Sequence, residues 1–496
     1  MRHGVVQASR PTTVEVRAGS GYGAARTFAA YGRHYALVVV DGLPPGRATP
    51  YHVCLDGRVV WPPDGHGYPP SAIRTRSGDG EPVRLVFGSC RQSPGARSAA
   101  GRTRRFPPDA LNAYAARLAG DTGPAPDTLV LLGDQVYADE LSPGGHDFDG
   151  YARLYGGSWT DPDVRWLLST VPSVMIFDDH EIVDDWNTSA SWRTDMRAQP
   201  WWAGRIAAGL ASYWVYQHLG NLHPDALAAD PVYRAVTGTT DATGVLAAFG
   251  ARADDERTGY RWSYALDIGR TRLVMLDNRA GRTLTPDARA MMPDADWDWL
   301  VEVTRPGGYD HLVVGSSLPW LLPPAIHHVE ALDERLCDSR RRPVARLAER
   351  ARRSLDLEHW AAFGRSFEAL GTLFDQLSGD VATISVLSGD VHHSYVARAA
   401  PVYQLVCSPI HNELPRAMRL AVKLAWSRSA ARAARAVARL AGTPAPGVRW
   451  DLVAGPFYGN AIGTLVHTGR GGSATIEGTT AEARLRPLAR LDLCGG

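Results

Sequence analysis

Four short clusters in this chain carry side chains of the kinds that bind cations, and each follows directly on an apolar run. They are Gly88-Ser89-Cys90, Gly133-Asp134 with Tyr137 three residues on, Phe177-Asp178-Asp179-His180-Glu181, and Ser388-Gly389-Asp390-Val391-His392-His393-Ser394. Consecutive titratable groups from Asp178 to Glu181 at the mouth of an apolar strand are costly unless a cation neutralises them, and the adjacent sequence offers no arginine to do so. Asp390 and His392 suit one transition metal, or a pair sharing the carboxylate, and a Cys90 thiolate is a strong ligand for iron or zinc. On an extended segment, Asp390 and His392 share one face and His393 turns away into packing. Taken singly, Asp134 could instead cap the next helix and Cys90 could be a small core residue. Four such clusters together favour cation binding.

Weaker positions surround these. Asp139 and Glu140 read as first-turn helix charges, and Asp184, Asp185 and Asn187 as solvated loop residues or outer contacts to a metal. Asp277-Asn278, Ser316-Ser317 and His411-Asn412 hold similar strand-end places, as ligands or turns. Arg91 and Arg279 are candidates for gripping a phosphate oxygen.

The elements that must position these groups are legible as a change of pattern. From about residue 82 onward, seven apolar runs (RLVFGSC, TLVLLGD, SVMIFDD, RLVMLDN, HLVVGSS, ISVLSGD and YQLVCSP) end in Gly, Ser, Cys, Asp or Asn. Continuous runs of this length suit strands buried on both faces. Segments with helical spacing, such as DALNAYAARLAG and FEALGTLFDQL, lie between them. The class is therefore α/β, and in such sheets ligands gather beyond the carboxyl ends of the strands. Residues 1–76 differ. About five short strands between Gly- and Pro-rich turns predict a small all-β sandwich like a fibronectin type III module, abbreviated or lacking its first strands. The larger domain is expected over residues 82–496.

Composition adds boundaries. Lys+Arg 53 against Asp+Glu 52 gives no global charge bias toward nucleic acid or membrane, and no nucleic-acid-binding motif stands out. Five scattered cysteines do not form a disulfide framework. No stretch of ~20 apolar residues is present to cross a membrane, and the first residues lack an apolar run for a signal peptide. The expectation is a cytoplasmic protein, unless a start placed too late has removed an export signal. Residues 413–440 are rich in arginine and alanine and predict a helix with one basic face. A solvated helix covering the enzyme is the favoured reading, with a membrane-surface helix second. No internal repeat is evident.

The four clusters, in this order and each at a strand end, resemble the PhoD-like (alkaline phosphatase D) family of the calcineurin-like metallophosphoesterases. The residues that carry the resemblance are Gly88-Ser89-Cys90, Gly133-Asp134-Gln135-Val136-Tyr137-Ala138-Asp139, Asp178-Asp179-His180-Glu181 and Ser388-Gly389-Asp390-Val391-His392. The resemblance implies a four-layer sandwich of two sheets flanked by helices, preceded by the β-module. It implies a ferric ion held by Cys90, Asp134, Tyr137 and His392, with calcium beside it on Asp134, Asp179 and Asp390. Asp178, in the acidic run beside Asp179, is a further candidate metal ligand. Other divalent metals would also suit such donors. The implied reaction is hydrolysis of phosphomonoesters, phosphodiesters or both, on a small molecule or a polymer, by a metal-activated water or oxide. His180 would stabilise the transition state or protonate the leaving alkoxide, and Arg91 would touch the phosphate. The family is often exported by the twin-arginine route, and this chain shows no such signal. Two other readings are a metal-stabilised binding protein without turnover and a metal-free esterase using Ser89 or Ser394. The lack of a Gly-x-Ser-x-Gly elbow counts against the esterase.

Overall fold

All seven apolar runs become strands, and their hydrogen bonding brings their polar ends to one edge. The computed structural model describes residues 2–93, 106–120, 123–141, 145–286 and 288–493. Val83–Gly88, Thr128–Leu132 and Ser173–Ile176 pair in parallel in one six-stranded sheet. Thr271–Leu276, His311–Ser316, Thr383–Ser388 and Val402–Val406 pair in parallel in a seven-stranded sheet. Parallel pairing forces every carboxyl end in a sheet to the same side. Ala461–Thr468, Gly471–Thr479 and Leu485–Leu493 extend the first sheet in antiparallel fashion.

The sheets pack face to face. Leu85, Phe87, Val130 and Leu132 of the first meet Leu273, Met275, Val313, Leu387 and Leu405 of the second in one buried core. The outer face of the first sheet is covered by Ala110–Ala119 and Pro162–Thr170, through Leu111, Tyr114, Val164 and Leu167. The outer face of the second is covered by Asp294–Val303 and Gly364–Leu377, through Leu300, Phe367, Leu370 and Phe374. The result is helix, sheet, sheet, helix: the expected four layers. Asp109 starts the first covering helix by accepting from the backbone N–H of Leu111 at 2.8 Å.

The N-terminal region holds nine strands among the described residues, where about five were legible. Arg2–Ala8, Gly21–Arg26, Ala48–Pro50 and Ala72–Arg74 were missed because they are short or interrupted by polar residues and glycine. Arg2–Ala8 pairs along its whole length with Arg33–Val40. The module is joined to the body by aromatic contacts: Tyr31 stacks on Phe148 at 4.0 Å, and the Tyr35 and Tyr216 hydroxyls are 3.0 Å apart.

Candidate metal centre

At the shared edge, the loops leaving the strands are tied to one another by their backbones. Cys90 N donates to Gly133 O at 3.2 Å, Arg91 N to Asp134 O at 2.9 Å, and Ala138 N to His180 O at 2.8 Å. Close approach requires glycine at two places. A Cβ on Gly133, whose φ is +96°, would lie 2.5 Å from Asp178 Cβ, and one on Gly389 would lie 1.9 Å from Ser89 Oγ. Glu181 fastens two of the loops from behind: it accepts from the N–H groups of Asp134 at 3.0 Å, Gln135 at 2.7 Å and Asp178 at 2.8 Å.

Three groups of donors result, with the offered atoms of each within 4.8 Å of one another: Cys90, Asp134 and His392; Asp134, Asp179 and His180; and Asp178, Asp179 and Asp390. Asp134 joins the first two and Asp179 the last two. Cys90, Asp134, Asp390 and His392 all lie in the left-handed region, with φ of 56°, 55°, 64° and 51°. Non-glycine residues there carry strain of about 1–3 kcal/mol each, which persists when the surroundings over-determine the backbone. The Asp390-to-His392 segment is thus a tight turn and not the extended stretch the spacing suggested. His392 reaches Cys90 and Asp134, while Asp390 faces Asp178 and Asp179.

The chemistry of the first group suits a bound cation. Asp134 Oδ1 is buried and has no hydrogen-bond partner among the described residues. Ser89 and Ser408 place their hydroxyls 3.2 Å from Cys90 Sγ, as donors to a thiolate would be placed. Asn412 donates to the Tyr137 hydroxyl oxygen at 2.9 Å, a role that favours the phenolate. Yet burial, reinforced by Asp134, holds both the Cys90 thiol and the Tyr137 phenol well above their ordinary pKa values. Burial likewise raises Asp134, against the pull of His180. Burial pushes His392 down to about 4, leaving the neutral imidazole that metal ligation needs. These groups avoid negative charge until a cation compensates it.

The second group contains His180. Its Nδ1 is held by Asp139, and its Nε2 lies 3.8 Å from Asp184. Burial opposes the charged imidazole, but Asp179, Asp134 and Asp139 outweigh it and raise its pKa well above the usual value. Asp139 is therefore more than a helix-start charge. The His180 ring also lies 4.4 Å from that of Tyr137.

The third group is neutralised from within. Arg279, fully buried, ion-pairs with Asp178, lies 2.5 Å from Glu358 Oε1, and sets Nη2 3.6 Å from Asp179 and 3.7 Å from Asp390. The arginine lacking beside Asp178 in sequence thus arrives from a different strand end. Asp277 shapes that arrival as a turn residue, accepting from Arg279 N and Ala280 N at 2.8 Å. His359 bridges Asp390, at 3.0 Å, to Glu330, at 2.8 Å. Burial opposes ionisation of Asp390, but His359 and Arg279 hold its pKa well below the carboxylate range.

A family model described as PhoD-like phosphatase matches residues 99–416, more than half of the chain. The chain belongs to the PhoD-like phosphatase family. Residues 5–73 match a domain family of unknown function, DUF7800. A solved structure titled "Structure of PhoD" superposes with a TM-score of 0.58 at 13% identity, covering 98% of this chain and 83% of that one, which establishes a shared fold. A second, the Plasmodium protein GAP50, "the anchor in the inner membrane complex", gives a TM-score of 0.39 at 8% identity, with 84% and 89% covered. No curated protein matches.

Within this PhoD-like site, several expectations meet a different geometry. Arg91 was expected to touch phosphate. Its guanidinium instead pairs with Asp109 at 2.8 Å and donates to Ser158 O at 2.9 Å, 1% exposed and directed into the body. Ser89 and Ser394, the alternative nucleophiles, are fully buried. Ser394 donates to Ser408 O at 3.2 Å, and Ser89 Oγ sits against Cys90. His393 packs as expected, its Nδ1 on Val391 O at 2.7 Å and its ring on Tyr395. Asn278 lies between the Ser316 and Ser317 hydroxyls. His411 sets Nδ1 against Gln92 O. Glu358, His359 and Glu330 also belong to the site, although no strand end or motif marks them in the sequence.

Proposed function

We propose that this protein is a metal-dependent phosphoesterase that hydrolyses phosphomonoesters, phosphodiesters or both. The observation that carries this reading is the overlap of the donor groups: Asp134 and Asp179 each belong to two, so the cluster would offer donors for more than one cation. Cys90, Asp134, Tyr137 and His392 would suit iron, and the carboxylates of Asp134, Asp179 and Asp390 would suit calcium. Bound there, the ions supply positive charge for phosphoryl oxygens and acidify a water.

The chain's own residues do the rest. Asp139 fixes Nδ1 of His180, so that Nε2 holds the proton destined for the departing alkoxide. Ser89, Ser408 and Asn412 stabilise the ionised forms of Cys90 and Tyr137. Arg279 and His359 keep Asp390 ionised and oriented. The test pairs elemental analysis with hydrolysis of a chromogenic monoester and diester. Stoichiometric metal and turnover that chelation abolishes are expected. Activity that survives exhaustive chelation would favour the serine esterase, and bound metal without turnover the binding protein.

A further inference from the structure

Beyond Asn412 the chain forms two consecutive helices, Arg416–Ala425 and Arg428–Leu440, where the sequence pattern suggested one. Ser427 caps the second through the N–H of Ala430 at 3.2 Å. Although no repeat is evident along the sequence, the two helices share a short pattern when aligned by sixteen residues: RAMRLAVKL at 416–424 and RAARAVARL at 432–440. The pattern extends to burial. Val422 and Ala425 of the first helix and Ala438 of the second face the body. On the opposite side, Ala417, Leu420, Ala421 and Leu424 form an exposed stripe at i, i+3, i+4 and i+7. Ala433, Ala436, Val437 and Leu440 repeat it. Leu420 is 62% exposed, Leu424 56%, Val437 55% and Leu440 89%.

A helix that merely covers a soluble protein turns its apolar stripe inward. Here both stripes point out, flanked by exposed Arg416 and Lys423 on the first helix and by Arg432 and Arg439 on the second. No acidic residue occurs between Leu414 and Trp450. An outward apolar stripe edged by cations matches the boundary between acyl chains and anionic headgroups. A nucleic acid would use the cations and leave the stripe in water. The first helix is tied to the segment after the Asp390-to-His392 turn: Tyr458 donates to Arg419 O at 2.8 Å, and its ring is 6.3 Å from that of His393.

We infer that this helix pair docks the protein on anionic lipid bilayers. The inference is independent of the hydrolytic reading, because vesicle binding and turnover are measured separately. The full chain is sedimented with phosphatidylglycerol vesicles and with phosphatidylcholine vesicles. Binding to the first and little to the second is expected. The exposed triple variant Leu420→Gln/Leu424→Gln/Leu440→Gln, and separately Lys423→Gln/Arg432→Gln/Arg439→Gln, each lower vesicle partitioning about 10-fold or more. Hydrolysis of a soluble chromogenic substrate is expected to be unchanged in both. Absence of binding to phosphatidylglycerol vesicles overturns the inference. So does binding that ignores the leucine changes, which would mark a surface for soluble polyanions. A dimer that the leucine changes dissociate, without vesicle binding, would assign the face to a second copy of the chain.

Discussion

The two sides of the metal centre handle buried charge in opposite ways. Around Arg279, carboxylates meet cations already in the chain: Asp178 and Glu358 pair with the guanidinium directly, Arg282 lies 3.1 Å from Glu358, and His359 adjoins Asp390. Burial opposes ionisation of Glu358, yet Arg279 and Arg282 bring its pKa down to about 2. Around Asp134 there is no such match. Cys90, Tyr137 and Asp134 all favour their neutral forms, and Asp134 Oδ1 lacks a partner among the described residues. Asp178 is raised by burial too, and Asp390 shares the left-handed backbone, but each has Arg279 or His359 beside it. A self-compensated network contributes to structure. An uncompensated one calls for charge from outside, whereas the compensated one holds its carboxylates, Asp390 among them, ionised and in place.

The sharpest way to break this comparison is to remove one charge from each side. Asp134→Asn is expected to abolish metal binding and to lower turnover by ~10³-fold or more, since each ion is worth several kcal/mol to the transition state. In metal-stripped protein the same change should raise stability, by about 1–3 kcal/mol, because it deletes a buried acid without a partner. Arg279→Met should act with the opposite sign. Left without their cation, Asp178, Glu358 and Asp390 destabilise the stripped protein by about 3–5 kcal/mol. Denaturant titration of both variants after chelation decides the matter. If both lose stability, Asp134 is as much a structural group as Arg279.

What the sequence revealed, and what it hid, follows the same division. Cys90, Asp134, Asp179 and His392 stood out because each directly leaves an apolar strand, and parallel pairing carries all such ends to one edge. Arg279 also leaves a strand, but nothing local shows that it turns toward Asp178, 101 residues away. Glu358 and His359 sit between helices and were invisible for that reason. Arg91 misled because adjacency to Cys90 says nothing of direction, and its side chain runs the other way, to Asp109. The Asp390-to-His392 turn shows the limit of strand periodicity: the residues converge on the site through left-handed backbone, and their spacing gave the right neighbours for the wrong reason.

A smaller effect tests how the uncompensated side is tuned. Asp139 bears on the donor groups through His180, whose Nδ1 it holds, while its other oxygen accepts from Asp184 N at 3.1 Å and faces Arg205. Asp139→Asn keeps the shape and removes the charge. A general acid must be protonated, and Asp139 is one of the carboxylates that raise the His180 pKa. Its loss should cut kcat by about 10–100-fold and move the alkaline limb of the pH profile to lower pH, with metal content unchanged. Burial opposes ionisation of Asp139 itself, but His180 keeps its pKa below the usual value, so the pair is intact across the neutral range. A uniform loss at every pH would show that Asp139 only supports the loop.

The smallest effect separates both charged regions from a third kind of buried group. His218 is fully buried, 5.2 Å from the Trp262 ring and 5.5 Å from that of Tyr260, and neither ring nitrogen has a partner among the described residues. Burial alone drives its pKa down to about 3, whereas unfolded histidine titrates near ~6.5. Between these values the unfolded chain binds the extra proton. The contribution of His218 to stability is therefore complete above about pH 6.5 and lost as pH falls, at about 1.4 kcal/mol per pH unit. His218→Phe keeps the aromatic packing and removes this loss. Its unfolding free energy should match the parent near pH 7.5 within about 1 kcal/mol and exceed it progressively toward pH 5. If the two curves stay parallel on acidification, the acid sensitivity resides in the carboxylates around Arg279 and Asp134 instead.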